Sequence, residues 1–131
     1  MKVFIHRDLK KQLAASQLEA LKKDFINYKN TGVLPDNFGR DVLYDHPYTP
    51  RKVLDNDVWH LHLKTASVVW PPYFQPYQRT SDDHLVYCQG MLHDDHYLFI
   101  ALLTPDAHQL ARNANQMWRI GDLAERFRLE H

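Results

Sequence analysis

The sequence predicts a single α+β domain, with an antiparallel sheet packed against helices from the N-terminal and C-terminal parts of the chain. Three observations predict this class: an amphipathic helical segment near the start, several strand-like segments in the middle, and helical periodicity again at the end. The chain has 131 residues, the size of one domain, and no shift in composition divides it. We therefore expect one domain over residues 1–131.

The N-terminal part predicts a strand followed by a helix. Residues 3–5 are apolar and predict a short strand. Ser16 and Glu19 have the spacing of a capping box, and Gly32 can adopt the left-handed conformation that ends a helix. Between these signals, apolar and aromatic residues recur at three- and four-residue steps: Leu18, Leu21, Phe25 and Tyr28. The pattern predicts a helix over residues 16–30.

The central part predicts one strand whose two faces differ. Residues 33–57 contain three prolines and Gly39, so we expect them to be irregular. Residues 59–64 then alternate strictly between apolar and polar side chains. One face of this strand carries Trp59, Leu61 and Leu63 towards a core, and the other carries His60, His62 and Lys64.

The C-terminal half predicts a hairpin and two helices. Residues 70–77 contain three prolines, which remove backbone donors, and predict an aromatic loop. Residues 84–89 and 97–103 are strand-like, and the polar link between them predicts an antiparallel hairpin. Thr104, followed by a proline, is typical of a helix start. We expect a short helix to about residue 112 and a second over residues 115–128, with an apolar stripe of Met117, Ile120, Ala124 and Phe127.

Charge and cysteine content restrict the class of protein. Sixteen basic and sixteen acidic residues leave no net charge, whereas proteins that capture free RNA by bulk electrostatics are usually basic. An RNA substrate would therefore need delivery by a larger partner. A lone Cys88 excludes an internal disulfide framework and a multi-cysteine zinc site. No signal peptide or apolar membrane span is evident, so we expect a cytoplasmic protein without a membrane partner.

His60 and His62 form the sharpest local motif. On one face of a strand, two such imidazoles lie about 6.5–7 Å apart, which suits a metal ion or a phosphodiester. Neither a helical His-Glu-x-x-His motif nor a cysteine pair supplies a third metal ligand. We therefore expect no metal and no cofactor. A solvated strand face and acid–base chemistry both remain open.

RNA cleavage without a metal requires a base, an acid and cations near the phosphate. The candidates for catalysis are His60, His62, His84 and Tyr87, although Tyr87 equally suits packing in a hairpin. The candidates for RNA or phosphate binding are Arg40, Lys64, Arg79, His108 and Arg112. We expect the catalytic imidazoles to titrate near 6.5, with their pKa held down by Lys64, Arg79 and Arg112.

Several segments resemble the YafO family of toxins, and the resemblance extends over nearly the whole chain. It is strongest between residues 79 and 112, where Arg79-Thr80-Ser81-Asp82 and His84-Leu85-Val86-Tyr87-Cys88-Gln89-Gly90 match. Further matching segments are residues 32–36, 38–41, 43–45, 60–63, 108–112 and 115–117. The order of elements also resembles the wider RelE/ParE toxin fold, which is a likeness at the level of fold alone.

The family resemblance implies a ribosome-dependent mRNA interferase, an endoribonuclease that cuts translated mRNA and thereby inhibits translation and growth. It also implies a cognate YafN-type antitoxin that neutralises the toxin. Delivery of the substrate by the ribosome would explain the neutral charge. Two other functions remain open: a non-catalytic toxin that blocks its target by binding, as ParE-like relatives do, and a metal-dependent hydrolase using His60 and His62.

Overall fold

A five-stranded sheet with helices on both faces forms the fold of the computed structural model, which describes residues 1–66 and 68–131. The strands are β1 (Lys2–Ile5), β2 (Phe38–Leu43), β3 (Trp59–Leu63), β4 (His84–Gln89) and β5 (His96–Leu103). The helices are α1 (Arg7–Lys10), α2 (Ala15–Thr31), α3 (Arg51–Asp55), α4 (Ala107–Leu110) and α5 (Ala114–Glu130). A 3₁₀ turn lies at Pro76–Gln78. The predicted α+β class is confirmed.

The sheet has the strand order β1-β5-β4-β3-β2, and one of its pairings differs from the prediction. Strands β2 to β5 pair antiparallel, whereas β1 pairs parallel to β5, with Val3 opposite Tyr97. The sheet is therefore mixed. A parallel pair needs a long crossover, and residues 6–95 intervene between these two strands. Local sequence does not reveal which edge such a distant strand will join.

Helix α2 covers one face of the sheet. Leu21 and Phe25 of α2 are buried in a core cluster with side chains of all five strands. Gly32 ends the helix at φ 73°, as predicted. The predicted capping box at Ser16 is wrong, because the helix begins one residue earlier and the backbone N–H of Ala14 donates to the side chain of Gln17 at 3.0 Å.

Helices α3 and α5 pack together on the opposite face. The predicted stripe of α5 is buried there: Met117, Ile120, Ala124 and Phe127. Gly121 lets α3 approach closely, because a Cβ at this position would lie 3.0 Å from atoms of Lys52 and Val53. The end of α5 reaches the turn between β4 and β5, where the carbonyl of His131 accepts the N–H groups of Leu92 and His93.

Residues 33–57 are more regular than the sequence predicts, since they contain β2 and α3. The pairing of β2 with β3 is irregular in the part of β2 between Phe38 and Asp41. This irregularity interrupts the alternation of side chains that would reveal β2 in the sequence. Gly39 lies against the backbone of Arg79, where a Cβ would be 2.1 Å from the carbonyl oxygen. The proline at position 50 immediately precedes α3 rather than ending an element.

The first predicted C-terminal helix also begins later than expected. Thr104 does not cap it, because its hydroxyl donates to the carboxylate of Asp83. Asp106 precedes α4 in a left-handed conformation, and the N–H of Ala107 donates to the carbonyl of Asp82. This contact holds α4 beside the start of β4. No helix among the described residues is long and apolar enough to cross a membrane.

Candidate active site

Four imidazoles lie together on the face of the sheet that carries α3, α4 and α5. His62 of β3 is the register partner of His84 of β4, and their ring centroids are 4.0 Å apart. His60 lies 5.2 Å from His84, and His108 of α4 lies 5.2 Å from His84 on another side. The structure thus brings together three of the four predicted catalytic residues and one predicted phosphate-binding residue.

The apolar side chains and the histidines lie on opposite faces of β3, as predicted. The histidine face, however, is more deeply buried than its polar side chains suggest. Leu61 is buried in the α2 cluster, while His62 points to the other face. His62 and His84 each retain only 2% of their accessible surface. Lys64 follows the end of β3, is exposed, and lies outside the histidine cluster. The histidine face is therefore covered at His62 and His84 and accessible only towards His60 and His108.

Hydrogen bonds from and to the backbone of Ser81 determine which ring nitrogen carries the proton in His62 and in His84. Its backbone N–H donates to Nδ1 of His62 at 2.8 Å, so the proton of a neutral His62 sits on Nε2. Its carbonyl oxygen lies 2.9 Å from Nε2 of His84 and can only accept, so His84 carries its proton on Nε2. Nδ1 of His84 is left with a lone pair. This atom and Nδ1 of His60 are buried without a hydrogen-bond partner among the described residues.

Burial keeps the clustered imidazoles neutral. It lowers the pKa of His60 and of His62 to about 3 and that of His84 to about 4. Neighbouring histidines lower these values further, and among basic residues Arg40 contributes for His60 and His62. The structure does not support the expectation that these imidazoles titrate near 6.5 under the influence of Lys64, Arg79 and Arg112.

A cleft of about 360 Å³ opens beside the cluster. Charged, imidazole and aromatic side chains line it: Arg40, Tyr44, Asp45, His46, Tyr48, His60, Tyr77, His84 and His108. The guanidinium of Arg40 suits a phosphate group and the aromatic rings suit unstacked bases, while the carboxylate of Asp45 adds one negative charge to the wall.

Aromatic contacts hold the walls of the cleft in place. The guanidinium of Arg40 lies 3.8 Å from the ring centroid of Tyr77, and its Nε donates to the carbonyl of Tyr77 at 2.8 Å. Arg112 lies 5.5 Å from the ring of Tyr48. Tyr44 stacks on His60 at 4.1 Å. The sequence does not place the three tyrosines in the cleft, because two lie in the segment that it predicts to be irregular and Tyr77 lies in the predicted aromatic loop.

His108 forms the exposed rim of the cluster. Its Nδ1 is hydrogen-bonded to the carboxylate of Asp82, and both side chains are exposed. This bond lowers the pKa of Asp82. It leaves Nε2 of His108 to exchange a proton with a molecule in the cleft.

Lys64 and Arg79 lie in a different groove from the histidines. They line a depression of about 310 Å³ together with Asp36 and Trp70. Nη1 of Arg79 reaches the carbonyl of Phe38 at 3.4 Å, and the backbone of Arg79 supports β2. The structure therefore does not bring these two cations to the cleft.

Tyr87 lies on the opposite face of the sheet from the histidines. It retains 1% of its accessible surface, and its hydroxyl donates to Asp41 at 2.8 Å and accepts from Lys29 at 2.9 Å. Burial, followed by the charge of Asp41, raises the pKa of Tyr87. Tyr28 also donates to Asp41. Tyr87 thus belongs to a network that fastens α2 to the sheet.

Comparison with known proteins identifies the family. The model of the family described as toxin YafO, type II toxin–antitoxin system, matches residues 26–129. The mRNA interferase toxin YafO of Escherichia coli (strain K12) is 47% identical over 130 residues, which cover 98% of each chain. No solved structure matches the chain, so the likeness to the RelE/ParE fold stays a prediction. From both the family match and the full-length relative, the chain belongs to the YafO family of toxins of type II toxin–antitoxin systems.

Proposed function

We propose that this protein is an mRNA interferase that cuts translated messages on the ribosome, in the cytoplasm, and that a cognate YafN-type antitoxin neutralises it. The name of the Escherichia coli relative supports the activity, and the family supports the antitoxin. The observation that carries the proposal for this chain is the cleft in which Arg40, His60, His84 and His108 converge. The chain's zero net charge favours delivery of the RNA by the ribosome.

The cleft can support cleavage by the RNA's own 2′-hydroxyl, without a metal ion. The 2′-oxygen forms a bond to phosphorus while the bond from phosphorus to the 5′-oxygen breaks. One imidazole accepts the 2′-proton and another delivers a proton to the departing 5′-oxygen. The products are a 2′,3′-cyclic phosphate and a 5′-hydroxyl. The guanidinium of Arg40 stabilises the charge that develops on the phosphate oxygens.

Accessibility narrows the candidates for the two proton transfers. His108 is exposed at the rim and His60 is partly exposed, so these two rings can reach a phosphodiester that lies across His84. His62 is buried behind His84 and positions it by ring contact. A phosphate in the cleft places negative charge beside His60 and His84 and raises the lowered pKa of these two rings towards the range useful for proton transfer.

Substitution of His108 and His60 tests the proposal. We expect His108→Gln and His60→Gln each to slow cleavage of ribosome-bound mRNA by about 10²–10⁴-fold, the usual contribution of a positioned acid or base. Primer extension on translated messages measures the new 5′ ends. His93→Ala is the matched control, since His93 is exposed on the turn between β4 and β5 and lies outside the cleft.

Several outcomes would contradict the proposal. Growth arrest without new 5′ ends would indicate a toxin that blocks its target by binding. Efficient cleavage of naked RNA that disappears with EDTA would indicate a metal-dependent hydrolase. The chelator arm must use naked RNA, because magnesium also holds ribosomes together. Full activity of both folded histidine variants would remove this pair from the mechanism.

A further inference from the structure

The interior of the histidine cluster has a property that RNA cleavage does not use. One nitrogen from each of His60, His62 and His84 lies within 4.8 Å of the other two. The sequence shows only the first two of these residues as a pair, because the third comes from the neighbouring strand β4. We propose that these three histidines bind a divalent transition-metal ion such as Zn²⁺.

Two of the three rings have a buried Nδ1 atom that no other group satisfies. Nδ1 of His60 and Nδ1 of His84 are buried and have no hydrogen-bond partner among the described residues. His84 donates its other ring N–H to the carbonyl of Ser81, which is the arrangement found around metal-bound histidines. Because one ligand nitrogen of each of the three rings lies within 4.8 Å of the other two, an ion can reach them with modest shifts of the rings.

The third ring requires a local change before it can bind. Nδ1 of His62 accepts the N–H of Ser81, so Nε2 holds the proton of the neutral ring. Coordination by Nε2 requires that proton to move to Nδ1, and the hydrogen bond from Ser81 is then lost. His60 and His84 are therefore the principal ligands, and His62 adds a weaker third bond.

The donor set selects the class of ion. Three imidazoles without a carboxylate among them suit Zn²⁺, Cu²⁺ or Ni²⁺, whereas Ca²⁺ and Mg²⁺ prefer oxygen ligands. A zinc ion bound by three histidines retains a fourth position for water or another ligand. The site does not depend on the RNA-cleaving role of the cleft.

A second histidine cluster in the molecule provides an internal control. His93, Asp95 and His96 also place ligand atoms within 4.8 Å of one another. His93 and Asp95 are exposed on the turn between β4 and β5. If a metal ion binds to the protein, the experiment must therefore show which of the two clusters holds it. His93→Ala removes a ligand from this second cluster and leaves the first intact.

The test uses the purified full-length chain after removal of metal with EDTA and dialysis. Co²⁺ serves as a spectroscopic probe, since its visible absorption reports imidazole coordination, and Zn²⁺ is then added to displace it. His84→Gln is an informative variant, because its amide can still donate to the carbonyl of Ser81 while the Nδ1 lone pair is absent. His60→Gln removes the other buried, unpartnered Nδ1. His62→Asn keeps an acceptor for the N–H of Ser81 and removes the third nitrogen.

We expect one Co²⁺ per chain, displaced by Zn²⁺, and a Tm that rises with Zn²⁺ concentration. Binding should be lost in His84→Gln and His60→Gln, weakened in His62→Asn, and unchanged in His93→Ala. Because a buried variant can fail to fold, the imidazole NMR signals of the unmodified protein give a second readout. Zn²⁺ should shift the signals of His60, His62 and His84.

Two results would overturn the proposal. One is the absence of Co²⁺ and Zn²⁺ binding by the folded protein at micromolar concentrations. The other is binding that persists in folded His84→Gln and disappears in His93→Ala, which would place the ion on the exposed turn.

Discussion

At the scale of single residues, the sequence predicts which side chains share a face but does not predict how far they are buried. The alternation of residues 59–64 places His60 and His62 together correctly. It does not show that β4 contributes His84, or that α4 carries His108 to the rim. Burial depends on these distant elements. For this reason the pKa values of the histidines lie well below the value of about 6.5 expected for an exposed ring.

Tyr87 is a second residue whose surroundings the sequence does not predict. The local pattern places it on a strand of a hairpin and shows nothing more. Its neighbours Lys29 and Asp41 are far away in the sequence, so the network among them is not visible there. We expect Tyr87→Phe to lower the free energy of unfolding by about 1–3 kcal/mol, because the buried groups of Lys29 and Asp41 lose a partner. Urea unfolding followed by circular dichroism measures this change.

The same variant separates packing from catalysis. Tyr87 lies across the sheet from the cleft, so cleavage per folded molecule should stay within a few-fold of the unmodified protein. A fall of two orders of magnitude in cleavage, with unchanged stability, would instead place the hydroxyl in the reaction.

At the scale of elements, the predicted helix over residues 16–30 and the stripe of α5 are confirmed, because apolar periodicity is strong in both. Strand β2 escapes prediction, because a break in its pairing and Gly39 disturb the alternating pattern. The parallel position of β1 also escapes it, since pairing with β5 depends on residues more than 90 positions away. Long, regular elements are therefore predictable here, and long-range pairings are not.

Gly39 provides a test of how β2 supports the cleft. A Cβ at this position would lie 2.1 Å from the carbonyl oxygen of Arg79, so Gly39→Ala must push β2 away from that backbone. We expect a loss of stability of about 2 kcal/mol or more, typical of overpacking. Cleavage should also fall, because Arg40 adjoins the displaced residue.

Gly32→Ala is the control for this substitution. Nothing lies within 4 Å of a Cβ there, and only the positive φ of 73° opposes a side chain. We expect a cost of about 1 kcal/mol and no effect on cleavage by the folded protein. Equal losses of stability and activity in the two variants would contradict a specific contact at Gly39. Thermal unfolding and the primer-extension assay measure both quantities.

At the scale of the whole molecule, the buried histidines make stability depend on pH. An imidazole in the unfolded chain titrates near 6.5, whereas those of His60, His62 and His84 in the folded chain titrate at about 3 to 4. Below pH 6.5 the unfolded chain therefore binds more protons. The free energy of unfolding should fall as the pH drops from 6.5 to about 4.5, by up to about 1.4 kcal/mol per pH unit for each histidine.

Urea unfolding of the metal-free protein in EDTA at pH 7.5, 6.0 and 5.0 measures this dependence. Replacing one buried ring, as in His62→Asn, should remove about a third of the part of the slope that comes from His60, His62 and His84, since each of these rings contributes equally to the linkage. His93→Ala should change the slope much less than His62→Asn, because His93 affects only the lowered pKa of the neighbouring His96. Constant stability between pH 7 and pH 5 would show that the cluster is open to water and protons.

The pairing of β1 with β5 also affects when the protein can fold during its own synthesis. Lys2 is the register partner of His96, so the first strand has no place in the sheet until the last strand has left the ribosome. The cleft likewise needs His108, which follows β5 in the chain. Long-range pairings of this kind form late and slowly. A nascent chain therefore has no complete cleft until β5 and α4 have both been made and His108 has folded against the sheet.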